Sequence, residues 1–288
     1  MNEETAIHDL GYRRYDGPRE GARGAWGALF IQGLRAMFGL GRSAKAKVVP
    51  VAVFVITMLP ALASILASSA TQGQVPIRYS NVFNTSVFLY TLFIAAQAPE
   101  IFSRDQQHRI LPLVLTRATT RVGYASARLA AVVTALFLLV FLCYFLMYLG
   151  EIGLAKDPMT AFGEMGDRIF PVLGLSLLTS LAIGSIGAAV AAWTPRRAFA
   201  TAAIIGLFLV LTAISQGMAQ LAGLSSRLSE LIDPIGLLRT ISPLLFGETT
   251  RAMELAAPLD ISVYVGLLGG FFLLGVLLLL TRLRRLET

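Results

Sequence analysis

Long apolar segments alternate with short polar segments along most of the chain. A helix needs about 20 consecutive apolar residues to cross the hydrocarbon layer of a membrane. Six segments meet this length, so the pattern predicts six membrane-spanning helices. We therefore expect an all-α integral membrane protein in which residues 1–288 form one transmembrane domain. The predicted spans are residues 48–68, 82–102, 126–150, 169–193, 198–221 and 261–280.

The amino-acid composition supports a membrane protein. Hydrophobic residues make up 56% of the chain and charged residues only 14%, whereas soluble domains carry about 25% charged residues. The net charge of +7 could indicate a nucleic-acid partner. However, the basic residues cluster beside the apolar segments, as the flanking charges of membrane spans do. We therefore expect no nucleic-acid partner.

The distribution of basic residues predicts the orientation in the membrane. Lys and Arg are enriched in the cytoplasmic segments that flank membrane spans. If the N-terminus is cytoplasmic, three quarters of the 24 basic residues fall on the inner side. We therefore expect a multi-pass protein whose N- and C-termini are both cytoplasmic.

Residues 25–38, AWGALFIQGLRAMF, precede the first span within a cytoplasmic tail that covers residues 1–47. Apolar residues recur there at intervals of three and four, which is the spacing of one helix face. The segment is too polar to span, so we expect an amphipathic helix that lies along the inner leaflet in contact with lipid. A soluble helix packed on another subunit is the alternative. The apolar face comprises Trp26, Leu29, Phe30, Gly33, Leu34, Met37 and Phe38.

Residues 103–125 place a short apolar core, ILPLVL, between several charges and between two predicted spans. Pro112 would break a helix interior but suits a first helical turn. We therefore expect a short helix held just outside the membrane, with Leu113 filling a pocket on a partner protein and Arg109 and Arg117 pairing with acids at its rim. A connector that skims the membrane without a partner is the alternative.

Residues 103–131, SRDQQHRILPLVLTRATTRVGYASARLAA, resemble the loop between spans two and three of ABC-2 type transporter permeases. Residues 11–21, GYRRYDGPREG, and residues 241–287 are similar to the tail and the last span of the same family, so the resemblance extends over nearly the whole chain. Family members often carry a Pro near the loop's exit, where this chain has Ala118 and Thr119. The matching loop positions are Asp105, Leu111, Pro112, Leu113, Arg117, Tyr124 and Arg128.

The resemblance implies that this loop is a coupling helix that docks on a separate ATP-binding subunit. Two such subunits would bind ATP and Mg, and a second permease copy, identical or homologous, would complete the transporter in the bacterial cytoplasmic membrane. Residues 222–260 would form short extracytoplasmic helices that cap the exit, with Asp233-Pro234 dividing them. The expected coupling residues are Asp105, Arg109, Leu111, Pro112, Leu113, Val114, Leu115 and Arg117.

The residue types required for catalysis are poorly represented. A phosphate-binding loop needs Gly-x-x-x-x-Gly-Lys-Ser/Thr, and the nearest string, GLGRSAK at residues 39–45, lacks the Gly-Lys pair. His8 and His108 lie outside the predicted spans, and Cys143 is the single cysteine. We therefore expect no enzymatic activity, no bound metal and no cofactor in this chain.

Two further features have open alternatives. Glu100, at the inner end of the second span, is expected to pair with Arg104 one turn later, or to take part in gating or coupling. Small residues at intervals of three and four in the fourth span allow close helix packing, either within the chain or at a dimer interface. They are Ser176, Ser180, Gly184 and Gly187.

The resemblance therefore implies the permease subunit of an ATP-binding-cassette exporter. Because few charges are available to bind a polar molecule, we expect an amphipathic or apolar substrate. An ATP-independent secondary carrier or channel would need paired ionisable groups in the spans or inverted repeats, and neither is visible. A regulatory membrane subunit is a further alternative.

Overall fold

The computed structural model describes residues 17, 21–41, 44–107, 114, 119–221, 229–250 and 259–285. Within these ranges the chain is helical and contains no β-strand, which confirms the predicted all-α class. A single 3-10 turn, Gly166–Arg168, separates α5 from α6. The α-helices are α1 (Gly21–Met37), α2 (Ala44–Ala70), α3 (Tyr79–Gln107), α4 (Arg121–Leu154), α5 (Pro158–Met165), α6 (Ile169–Trp193), α7 (Arg197–Leu221), α8 (Pro234–Leu245) and α9 (Ile261–Arg285).

Six of these helices are long and apolar enough to cross a membrane, namely α2, α3, α4, α6, α7 and α9. The number of predicted spans is therefore confirmed by helix length and composition. The side of the membrane on which each end lies stays a prediction.

The helices on either side of the 103–125 segment are longer than their apolar segments. The second span was predicted to end at residue 102, but α3 continues to Gln107 because polar side chains in its last turns bind the end of α6. The Ser103 hydroxyl donates to the carbonyl of Ala191 at 3.0 Å, and the Gln106 amide donates to that of Ala192 at 2.6 Å. Polar residues therefore extend α3 beyond the limit set by hydrophobicity.

Helix α4 likewise begins at Arg121, before the predicted start of the third span at residue 126. Thr120 is its N-cap, and the Thr120 hydroxyl accepts a hydrogen bond from the backbone N–H of Gly123 at 3.0 Å. Such a cap satisfies one of the unpaired N–H groups of the first turn. The cap fixes the start of α4 just after the loop.

Helix α6 lies at the centre of the bundle, where it contacts α3, α4, α7, α8 and α9. Small residues allow α6 to contact so many helices, because they let neighbouring backbones approach closely. A Cβ atom added to Gly275 of α9 would lie 2.6 Å from the Ser185 hydroxyl oxygen, and one added to Gly187 would overlap the side chain of Ile94. The core therefore depends on glycine at these contacts.

Helix α1 packs against α3 and α4 of the same chain. A Cβ atom added to Gly33 would lie 2.8 Å from the Cβ of Ala131, and Met37 is fully buried. The rings of Phe38 and Phe93 are 6.1 Å apart. Much of the predicted apolar face is thus covered by the protein itself, and the position of α1 relative to the inner leaflet stays a prediction.

The segment between α7 and α9 contains the short buried helix α8. The Asp233 carboxylate caps α8 by accepting a hydrogen bond from the N–H of Ile235 at 3.0 Å, and Pro234 occupies the first turn. The predicted division at Asp233-Pro234 therefore coincides with the start of a helix. Residues 222–228 and 251–258 lie outside the described part of the chain.

Candidate functional site

Three polar side chains join the end of α3 to the beginning of α4. The Tyr124 hydroxyl donates a hydrogen bond to Oδ2 of Asp105 at 2.8 Å, and Nη2 of Arg128 lies 2.7 Å from the same oxygen. The Arg128 guanidinium also stands 5.5 Å from the centre of the Tyr124 ring. Both charged residues are buried. This inner cluster of Asp105, Tyr124 and Arg128 fixes the two ends of the loop relative to each other.

The inner cluster is continuous with contacts to two further helices. The end of α3 is tied to the carbonyls of Ala191 and Ala192 at the end of α6, and Nε of Arg282 in α9 donates to the Ala192 carbonyl at 3.3 Å. Four helix ends therefore meet around the base of the loop.

The predicted docking surface lies mostly outside the described residues. Val114 is the one residue between 108 and 118 that the structure describes; it is partly buried and packs against the core of the bundle. Its carbonyl accepts a hydrogen bond from the Thr119 hydroxyl at 3.3 Å. The predicted partner contacts of the undescribed residues stay predictions. These residues are Arg109, Leu111, Pro112, Leu113, Leu115 and Arg117.

Asp105 was predicted at the partner interface with the loop residues, and the structure shows its contacts within the chain. It is only 7% exposed, and its carboxylate is engaged by Tyr124 and Arg128. Sequence reasoning identified all three positions through the family pattern but did not predict that they contact one another. Asp105 therefore joins the end of α3 to the start of α4, and its role at a partner interface stays a prediction.

Glu100 connects α3 to α7. Its Oε2 lies 3.6 Å from Nη1 of Arg104, which is the pairing expected from the sequence. A second ion pair joins Glu100 to Arg197 at the start of α7. No local pattern indicates this partner, because Arg197 is far from Glu100 along the chain and enters the sequence-based prediction only as one of the charges that predict orientation. Glu100 is thus a buried junction between two helices.

The small residues of the fourth span are used for packing inside the chain. Ser176, Ser180, Gly184 and Gly187 are all buried in α6. A Cβ atom added to Gly184 would lie 3.5 Å from Cγ2 of Val133 in α4. Gly184 thus faces α4 and Gly187 faces Ile94 of α3, and a contribution of this helix to a dimer interface stays a prediction.

A polar cleft of about 570 Å³ opens at the opposite end of the bundle, between the ends of α2 and α4 and the start of α3. The carboxylate of Glu248, which follows α8, accepts hydrogen bonds from the N–H groups of Tyr79 at 2.7 Å and Ser80 at 3.2 Å, and from the Ser80 hydroxyl. A carboxylate at this position is stabilised by the positive end of the α3 dipole. Glu248 therefore binds the segment after α8 to α3.

Tyr79 also connects this outer cleft to α4. Its hydroxyl donates to Glu151 at 2.8 Å, and Glu151 forms an ion pair with Arg168. The Tyr79 ring stacks on Phe246 with centroids 4.3 Å apart. No sequence pattern indicates this site, because its residues are distributed over four segments and belong to no short motif.

Two comparisons with known proteins assign no family to the chain. No protein-family model matches the chain, and a search of curated proteins finds no match. Among the described residues, no group of three or more His, Cys, Asp or Glu side chains is placed to hold a metal ion.

Proposed function

We propose that this chain is the membrane-spanning subunit of an ATP-binding-cassette exporter of the ABC-2 permease type. Separate ATP-binding subunits, present in two copies, would bind ATP and Mg and supply the energy. A second permease, identical or homologous, would form the other half of the translocation path. The chain itself would catalyse no reaction.

The inner cluster is the observation that carries this proposal. A loop that receives force from a partner must be attached rigidly to the spans that it moves, because a flexible attachment would absorb the displacement. Asp105 and Arg128 attach the two ends of the loop to each other through a buried, charge-assisted hydrogen bond, which is stronger than one between neutral groups. The base of the loop is therefore suited to transmit force to α3 and α4 together.

Contacts away from the loop would carry the displacement into the rest of the bundle. The last turns of α3 bind the end of α6, and Glu100 of α3 pairs with Arg197 of α7. Closure of the ATP-binding subunits would thus move the inner halves of α3, α4, α6 and α7 together. Coupled movement of helix ends about a packed core is a common mechanism for switching access.

The distribution of polar groups favours an amphipathic or apolar substrate. The acidic groups that the structure places within the spans lie near their ends: Glu100 and Asp105 at one side, and Glu151 at the other. Between these ends, α4 carries a partly exposed row of stacked aromatic rings, with centroids 5.5 Å apart for Phe137 and Phe141 and 5.3 Å for Phe141 and Phe145. Aromatic faces suit apolar or cationic amphipathic molecules.

Co-purification with a tagged ATP-binding subunit tests the proposal. A variant that combines Arg109→Glu, Arg117→Glu and Pro112→Gly changes the charge and the helix start of the loop while leaving the inner cluster intact. We expect it to lose both the bound ATP-binding subunit and the stimulation of ATP hydrolysis. Lys156→Glu is the matched control, since it reverses an exposed charge at the opposite end of α4, and it should retain both.

The opposite result would contradict the proposal. If the loop variant is folded by circular dichroism and still binds and stimulates the ATP-binding subunit, the loop is not the coupling element. If the purified chain in vesicles moves substrate without any ATP-hydrolysing partner, the protein is an ATP-independent carrier.

A further inference from the structure

The short helix α5 exposes two large apolar side chains. Met159 is 83% exposed and Phe162 is 58% exposed. The start of the helix is fixed by Asp157, whose carboxylate accepts hydrogen bonds from the N–H of Met159 at 3.2 Å and from the Thr160 hydroxyl at 2.7 Å. A carboxylate cap followed by a proline in the first turn favours helix formation. A regular helix therefore presents the two apolar side chains.

The exposed surface of α5 has an apolar face and a polar face. Ala161 is buried, and α5 packs against α4. Because successive residues of a helix are rotated by about 100°, Met159 and Phe162 lie about 60° apart, whereas Glu164 lies about 140–160° from both. Thr160 and Glu164 are exposed and lie within about 40° of each other. Met159 and Phe162 thus form the apolar face of α5, and Thr160 and Glu164 form its polar face.

The position of α5 in the bundle places it at a membrane surface. Helix α6 follows it after the 3-10 turn, and the 25 residues of α6 correspond to about 37 Å of helix. The hydrocarbon layer is about 30 Å thick, and each headgroup region adds about 5–8 Å. Helix α6 alone is therefore long enough to cross the hydrocarbon. Met165 and Arg168 line the outer cleft, so α5 lies at headgroup depth at that end of the bundle.

A lipid-facing surface of α6 leads to α5. Phe170, Leu173 and Leu177 are exposed, and their spacing of three and four places them on one face of the helix. An exposed apolar face of a membrane span contacts lipid chains. This face begins at Phe170, the second residue of α6, so the lipid-facing surface reaches the turn that connects α6 to α5.

A lipid surface fits the apolar face of α5 better than a protein partner does. A stable protein interface takes about 20–30 residues from each partner, whereas α5 has eight residues. An amphipathic helix at a membrane surface needs no such area. Its apolar side chains enter the boundary between headgroups and acyl chains while its polar face stays in water. Size and position therefore both favour lipid.

We propose that α5 is an interfacial helix whose apolar face inserts into the lipid leaflet at this end of the bundle. Met159 and Phe162 lie at the boundary between headgroups and acyl chains, and Glu164 lies in water. The ion pair of Glu151 with Arg168 joins α4 to the turn after α5, so the insertion ties the wall of the outer cleft to the membrane surface. This inference depends neither on the proposed transport function nor on which side of the membrane the outer cleft faces.

Electron paramagnetic resonance of the full-length chain in phospholipid vesicles tests the insertion. In a Cys143→Ala background, single nitroxide labels are attached to Met159→Cys, Phe162→Cys and Glu164→Cys, with Leu177→Cys of α6 as the lipid reference. Dissolved oxygen concentrates in the hydrocarbon and a polar nickel chelate stays in water, so the ratio of their relaxation effects measures depth. We expect oxygen to dominate at 159 and 162, at a depth of about 5–10 Å in the boundary region, and nickel to dominate at 164. All labelled positions are exposed, so the labels leave the core intact.

Two results would overturn the proposal. If nickel relaxes the labels at 159 and 162 as strongly as the label at 164, the apolar face lies in water. If neither agent reaches the labels at 159 and 162 while the labels at 164 and 177 behave as expected, protein covers the face. Dipolar broadening between labels would then identify a second copy of the chain as the cover.

A pair of charge substitutions provides a second measurement. Phe162→Asp places a carboxylate on the apolar face, and a charge is costly to remove from water. It should therefore raise the nickel accessibility of the label on Met159→Cys toward the value measured on Glu164→Cys. Thr160→Asp is the matched control, because it adds the same charge to the polar face, and it should leave the accessibility unchanged. Equal effects of the two substitutions would contradict insertion of the apolar face.

Discussion

Arg128 and Asp105 form a buried ion pair, with Nη2 of the arginine 2.7 Å from Oδ2 of the aspartate. The pair joins two helices across the loop that separates them, and Tyr124 donates to the same carboxylate oxygen. The net contribution of a buried ion pair to stability can be small, but removing only one of its two partners costs much more. The remaining charge is then buried without compensation. The inner cluster therefore depends on both charges being present.

Removing either charge of this pair should destabilise the protein strongly. We expect Asp105→Asn and Arg128→Met each to lower the free energy of unfolding by about 3–5 kcal/mol. The double variant should lose less than the sum of the two, because the second substitution removes the charge that the first left unpaired. Thermal unfolding of the detergent-solubilised protein measures each effect, with Arg35→Met, at an exposed arginine of α1, as the control. Additive losses in the double variant would show that the two side chains are not energetically coupled.

Hydrophobicity alone predicted the six long helices, because burial in a bilayer requires continuous apolar segments and leaves an unambiguous pattern. It did not predict their ends. The extension of α3 to Gln107 depends on hydrogen bonds from Ser103 and Gln106 to the distant end of α6. A local pattern carries no information on such a partner.

The contacts that form the candidate sites were harder to predict than the helices. The pairing of Glu100 with Arg104 follows from helical spacing, whereas its pairing with Arg197 depends on how α3 and α7 pack. The outer cleft, in which Glu248 reaches Tyr79 and Ser80, likewise arises from tertiary packing alone. The family pattern indicated the residues of the inner cluster, but only the structure shows that Asp105 binds Tyr124 and Arg128.

Glycine at position 187 should be required for packing. A Cβ atom there would overlap the side chain of Ile94 in α3, so we expect Gly187→Ala to destabilise the protein by about 1–3 kcal/mol through overpacking. Gly174 lies in the same helix with nothing within 4 Å of an added Cβ, and Gly174→Ala should be neutral or stabilising by up to about 1 kcal/mol. The thermal unfolding midpoints of the two variants provide the measurement.

A compensating substitution distinguishes overpacking from other causes. Ile94→Ala in the Gly187→Ala background removes the side chain that the new methyl group would meet. The double variant should therefore lose less stability than the sum of the two single losses. If its loss equals or exceeds that sum, the contact between these two positions does not explain the destabilisation.

Glu230 should make stability depend on pH. Burial raises the pKa of its carboxyl group above the ordinary value; the hydrogen bond from the Thr240 hydroxyl opposes this shift, and the nearby charge of Asp233 adds to it. A raised folded-state pKa means that the folded protein favours the protonated carboxyl group of Glu230. The contribution of this group to the stability of the fold is therefore complete below its unfolded-state pKa of about 4.3. It is lost as the pH rises through the folded-state pKa.

Glu230→Gln removes this titration while keeping a hydrogen-bond acceptor for Thr240. We expect the unfolding midpoint of the wild type to fall relative to that of Glu230→Gln as the pH is raised through the folded-state pKa. Glu164→Gln is the control, because it removes a carboxylate at an exposed position in α5. A difference between wild type and Glu230→Gln that stays constant with pH would contradict the raised pKa.

The predicted orientation can be tested with single cysteines, since the one native cysteine, Cys143, is buried. In a Cys143→Ala background, Lys156→Cys should react with a membrane-impermeant maleimide in intact cells, because it lies at the end of α4 that is predicted to be outside. Arg23→Cys, at the exposed start of α1, should react only after permeabilisation. The reverse result would place the loop between α3 and α4 on the exterior, where no ATP-binding subunit could reach it, and would exclude both the orientation and the coupling role that depends on it.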